Sequence, residues 1–73
     1  VLQERIHRSC LYHALLHQYN SELLSAKSSL LVYFNNSVGI GEHPDVLAAI
    51  QEQIDIIAHE EERISVIEKY FGD

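Results

Sequence analysis

Basic side chains are scarce in this chain: five Lys and Arg stand against eleven Asp and Glu, for a formal net charge of -6. A nucleic-acid-binding surface needs a Lys/Arg patch to displace counterions from phosphates, so this balance argues against nucleic acid as a partner. The single cysteine, Cys10, cannot close a disulfide within the chain. No apolar run approaches the length of a membrane span, and no signal-peptide pattern opens the sequence. Together these absences read as a soluble protein of the cytoplasm with a reduced thiol and no membrane partner. Methionine is also missing and Val1 comes first, which is compatible with a trimmed start.

At 73 residues there is room for one domain, 1–73, and a chain this small buries only about 60% of its unfolded surface. Small domains are usually stapled by disulfides, by a metal or by partner chains. The first is excluded within the chain, which leaves a metal or partner chains, and self-association is among the expectations. Charge is unevenly spread: residues 1–41 hold three basic and two acidic side chains, residues 42–73 two basic and nine acidic. A neutral-to-basic segment carrying His7, His13 and His17, followed by an acidic one, suits two helices lying against each other, and histidine protonation strengthens the match at mildly acidic pH.

Glycine and proline are absent from residues 1–34, where Leu11, Leu15, Tyr19, Leu23, Ala26, Leu30 and Phe34 recur at steps of four or three. That spacing predicts one apolar side of a long helix. Leu2, Ile6, Leu16, Leu24 and Leu31 form a second strip beside it, and the two together cover about half the circumference, more than one partner helix can cover. The strand-like run Leu30 to Phe34 is read as helix, because the stripe continues through it and no second such run exists to pair with it. In the second segment Leu47, Ile50, Ile54, Ile57, Ile64 and Phe71 follow a heptad-like seam, with Glu61 and Glu68 in its gaps. Ile56, Val66, Ile67 and Tyr70 fall outside it.

Between the segments lies "NNSVGIGEHPDV", residues 35–46, where the chain's Gly, Asn and Pro crowd together. Asn35 or Asn36 can end a helix in the left-handed conformation, and Gly39 and Gly41 can take positive φ without steric penalty. Pro44 suits the first turn of the next helix, with His43 at or beside its N-cap, and Asp45 places negative charge at the positive end of its dipole. A phosphate-cradling loop fits poorly: no strand precedes Gly39-Ile40-Gly41, no Walker lysine follows, and Glu42 and Asp45 would repel phosphate. The expected fold is all-α, an antiparallel αα-hairpin with helices over about 2–35 and 44–71 and a turn over about 36–43. It is expected to assemble into a four-helix bundle or a coiled-coil-like oligomer, a dimer above other states, with Leu16, Leu24, Leu31, Ile56 and Tyr70 at the interface.

If Phe34 packs near Leu47, Glu61 falls opposite Asn20 and Glu68 opposite His13. The glutamates either reach solvent at the seam's edge or pair with Asn20 and His13 to set the register. Cys10, His13 and His17, at spacings of three and four, are weak candidates for metal ligands, since a structural zinc site takes four converging ligands and only three are visible. Glu4-x-x-His7 has the form used by di-iron bundles, but its facing position lies past the C-terminus. No nucleophile arrangement is legible: the serines are scattered, and Cys10 has no general base beyond His13 and His17. Tyr12, Tyr19, Tyr33 and Tyr70 read as core-edge or interface residues. No cofactor is expected.

The segment from "VYFNN" through "VGIGEHPD" to "EKYF", residues 32–71, resembles short helical-hairpin proteins encoded by marine T4-like bacteriophages and recovered in ocean metagenomes. The resemblance implies a phage product acting inside an infected bacterium, and it carries no catalytic residues across. The expected function is a noncatalytic, self-associating helical module, an accessory or adaptor with a further protein partner. Two alternatives stand beside it. One is an acidic inhibitor or nucleic-acid mimic presenting Glu52, Asp55, Glu60 and Glu62 to a host protein; the other is a metal-binding bundle built on Cys10, His13 and His17.

Overall fold

A computed structural model describes the backbone over residues 2–35 and 44–72 and the side chains over 9–35 and 45–72. The described residues form two helices, α1 (Leu2–Asn35) and α2 (Pro44–Phe71), which pack against each other. These bounds coincide with the expected ones. Helix α2 begins at Pro44, whose missing N–H is one a first turn leaves unpaired anyway, and carries Asp45 in that turn. Lys69 lies in its last turn at the negative end of the dipole, and the Gly72 N–H closes the helix on the Glu68 carbonyl at 3.1 Å. The expected turn residues Asn36, Gly39, Gly41 and His43, and the side chains of Glu4, His7 and Pro44, lie outside the described residues.

The helices run antiparallel. Near the open end of the hairpin, the Tyr12 hydroxyl lies 3.2 Å from where a side-chain carbon would stand on Gly72; further in, the Arg63 guanidinium covers the Tyr19 ring. Facing residue numbers total 84 and 82 in these two pairs, so a register near 83 describes the seam. The seam residues, buried or half-buried, are Tyr12, Leu16, Tyr19, Leu23, Ala26, Leu30 and Tyr33 on α1 and Val46, Ile50, Gln53, Ile57, Glu60, Ile64 and Ile67 on α2, with Ser29, Ala49 and Ile56 half-buried beside them. Both series alternate steps of four and three, the period of a left-handed two-helix seam. The product is a rod with extents of 59 × 16 × 16 Å.

This seam is rotated from the expected one. Leu11, Leu15 and Phe34 on α1, and Leu47, Ile54, Glu61, Glu68 and Phe71 on α2, all stand exposed. Two physical reasons account for the shift. Consecutive steps of four, as in Leu11–Leu15–Tyr19–Leu23, walk round a helix by about 40° each and leave a straight seam. On α2 the row Ile50, Ile57, Ile64 can be joined by residues three or four positions on. The first choice adds Val46, Gln53, Glu60 and Ile67, the second Leu47, Ile54, Glu61 and Glu68. Each row offers two apolar and two polar residues, but the first buries one carboxylate and the second two, and burying a carboxylate is the costlier step.

The core is thin. Among the described residues the buried apolar side chains are Ala26, Ile50 and Ile67, while eleven large apolar side chains stand exposed. Ala26, at 2% exposure, is the most buried of the three, and at this register it is level with Ile57. A small residue there lets the helix backbones approach while the isoleucine fills the space.

Candidate functional site

The polar cluster built into the seam is Tyr19, Glu60 and Arg63. Glu60 follows from the heptad row that places Ile57 and Ile64 inside: it is only 4% exposed and level with Leu23 across the seam. Arg63 sits one turn further along α2, where an i,i+3 spacing brings its guanidinium to the carboxylate. Its Nη1 donates to Glu60 Oε1 at 2.5 Å, and its Cζ stands 5.9 Å from the centre of the Tyr19 ring, within cation–π reach. Tyr19 on α1 thus holds the arginine that holds the glutamate on α2. Glu60 Oε2 is buried as well and has no donor among the described residues. Arg63 itself is 58% exposed in its side chain, so the pair is solvated on one side only. The cluster neutralises a seam carboxylate and ties the two helices at one level.

Of the two readings of Glu61 and Glu68, the described residues show the solvent-facing one, and neither glutamate pairs with Asn20 or His13 among them. Asn20 donates from its side-chain amide to the Leu16 carbonyl of its own helix at 3.0 Å. Glu61 and Glu68 are exposed at the seam's edge. His13 is exposed with its ring 5.3 Å from that of Tyr12. The polar residue that occupies the seam is Glu60, one position before the glutamate the spacing pointed to. The signal that could have found it is Ile67: a seam through Ile50, Ile57 and Ile64 that also includes Ile67 must include Glu60.

Cys10, His13 and His17 are exposed on α1. Among the described residues, no three His, Cys, Asp or Glu side chains converge into a group that could hold a metal ion. The acidic set also divides: Glu52, Asp55 and Glu62 are exposed, Asp55 accepting from Gln51 at 3.0 Å, whereas Glu60 is buried and takes no part in an acidic surface.

The five residues expected at an interface do not share one surface. Leu16 and Ile56 are half-buried within the hairpin itself. Leu24 and Leu31 are 66% and 63% exposed and lie on one side of the rod, with Phe34, Leu47 and Ile54, also exposed. Tyr70 is exposed on the opposite side, with Leu11, Leu15 and Val66. The division follows from heptad geometry, since residues one and four positions after a given seam residue turn to opposite flanks from those that precede it. No helix among the described residues is long and apolar enough to cross a membrane. In comparison with known proteins, the chain matches no family model, no curated protein and no solved structure.

Proposed function

We propose that this protein is a noncatalytic helical module that works by self-association, as a homodimer of hairpins forming a four-helix bundle. The observation that supports the reading is the imbalance between inside and outside: three buried apolar side chains against eleven large exposed ones among the described residues. A monomeric soluble protein rarely leaves so large a share of its apolar side chains in water, and a rod this thin has no second layer to cover them. An accessory or adaptor role within an infected bacterium is the part of the reading that the resemblance of residues 32–71 to marine phage hairpin proteins would imply. Native mass spectrometry of the untagged protein tests the core of the reading. A metal-free dimer is expected; a monomer at micromolar concentration would overturn it.

One observation favours a second reading. Asp45, Glu52, Asp55 and Glu62 are all exposed on α2. Such a strip could engage a basic protein of the host, and a salt-sensitive capture of a DNA- or RNA-binding protein from a bacterial lysate is the outcome this reading requires.

A further inference from the structure

The exposed apolar residues divide between two flanks of the rod. One flank carries Leu24, Leu31 and Phe34 of α1 and Leu47 and Ile54 of α2, all toward the connected end of the hairpin. Toward the open end the same flank is polar, with His13, His17 and Asn20 on α1 and Glu61 and Glu68 on α2. The opposite flank carries Leu11, Leu15, Val66 and Tyr70 near the open end and Val32 toward the connected end, with the charged Glu22, Glu52 and Arg63 standing between these two apolar groups or beside Val32.

We infer that the first flank is the dimer interface, that its occupant is a second copy of this chain, and that the two copies are related by a two-fold axis running along the rod. This rests on the self-association proposed above and adds the surface and the symmetry. A two-fold axis along the rod keeps like ends together and sets α1 of one copy over α2 of the other. Leu24, Leu31 and Phe34 then meet Leu47 and Ile54 of the second copy, and His13, His17 and Asn20 meet its Glu61 and Glu68. An isologous contact makes each pairing twice. The Lys27 stem crosses the apolar surface while its ammonium reaches the rim.

Charge and area both select this arrangement. A two-fold axis across the rod would lay the apolar half of one copy on the His/Glu half of the other and desolvate carboxylates against leucine. Sliding the reversed copies until only the apolar halves overlap avoids that burial but halves the contact. Helix α2 has 28 residues, about 42 Å, so the two-helix part of a flank 16 Å wide projects about 670 Å² per chain, or about 1,300 Å² for two. That clears the roughly 1,200 Å² at which specific interfaces begin, and half of it does not. The polar half must therefore be part of the contact, and only the axis along the rod makes it complementary.

The test uses the full chain in three forms. Leu24 and Leu31 are exposed in the hairpin, so Leu24→Glu with Leu31→Glu should keep the helical circular dichroism yet give a monomer by light scattering. Leu15→Glu with Tyr70→Glu, on the opposite flank, should remain a dimer. The reverse pattern overturns the assigned surface while leaving self-association intact, whereas a monomeric wild type overturns self-association itself. If the double Glu variant loses its helical signal, Leu24→Ser with Leu31→Ser provides the same comparison with a smaller perturbation. The axis is read from the lone thiol: Cys10 is exposed and level with the C-terminal end of α2. Spin labels on Cys10 should lie within about 25 Å of each other, the width of a four-helix bundle. A separation of about 40 Å or more, the length of α2 by its rise per residue, means the copies are reversed and the axis is wrong.

Discussion

Replacing Glu60 with leucine should stabilise this protein. Glu60 is 4% exposed, one of its carboxylate oxygens is held by Arg63, and the other is buried without a donor among the described residues. An unsatisfied buried polar atom costs about 1–3 kcal/mol. Leucine is close to glutamate in volume and would meet Leu23 at the same level of the seam, so the lost polar group is exchanged for apolar contact. The change also forfeits the Arg63 pair. Because the arginine side chain is 58% exposed, that pair contributes at most about 1 kcal/mol. The net gain is about 1–2 kcal/mol, and for a chain of this length it should raise Tm by roughly 5–15 °C. Far-UV circular dichroism on heating, at one fixed protein concentration, measures it. The companion change, Arg63→Ala, removes the one donor to the carboxyl group found among the described residues and should cost about 1–2 kcal/mol in the wild type. In the Glu60→Leu background the same change should cost under about 1 kcal/mol, the contact with Tyr19 being all that is lost. A fall in Tm for Glu60→Leu, or equal costs for Arg63→Ala in both backgrounds, would refute the reasoning.

Ala26→Leu should destabilise the hairpin by about 1–3 kcal/mol, because a side chain with 2% exposure has no room for three more carbons; urea unfolding with an unchanged slope is the check. At Gly72 an added methyl would stand 2.5 Å from the Glu68 carbonyl oxygen and 3.2 Å from the Tyr12 hydroxyl. Gly72→Ala should therefore loosen the last turn of α2, costing under about 1 kcal/mol, with a change in tyrosine fluorescence that Tyr12→Phe abolishes. Asn20→Ala should change stability by no more than about 0.5 kcal/mol, since its exposed amide donates to the Leu16 carbonyl of its own helix.

The hairpin was legible because its signals are local: an uninterrupted 34-residue segment, a cluster of turn residues, and Pro44 with Asp45 where a helix can start. The seam was less legible because it is chosen between rows of nearly equal apolar content. Choosing Leu47 and Ile54 follows residue size; choosing Val46 and Ile67 follows the number of carboxylates removed from water. Size is visible in any window of the sequence. The carboxylate cost appears only when whole rows are compared from Val46 to Glu68, and it moved the polar interruption from Glu61 to Glu60 and left Asn20 and His13 without their expected partners. The five residues expected at an interface are divided for the same cause. Once Leu16 and Ile56 turn into the hairpin, what remains outside is two separate patches on opposite flanks.

That choice of seam bears directly on assembly. Had Leu47 and Ile54 packed inside the hairpin, Glu61 and Glu68 would have gone in with them, and the flank beside Leu24 and Leu31 would have lost its apolar half and its acidic half together. By accepting Glu60 into its own seam, with Arg63 to hold one oxygen, the chain leaves both halves exposed. The cost falls on the single hairpin, whose core is thin, and in the proposed dimer the gain would come when a second copy covers the flank. Glu60→Leu should therefore stabilise the fold without changing the oligomeric state, whereas Leu24→Glu with Leu31→Glu should change the oligomeric state while leaving the seam untouched. A higher Tm at unchanged mass in the first variant, and a lower mass with a lower Tm but a helical spectrum in the second, are what this two-level design requires. A Glu60→Leu protein that became monomeric would show that the carboxylate belongs to the interface between copies and not to the seam within one.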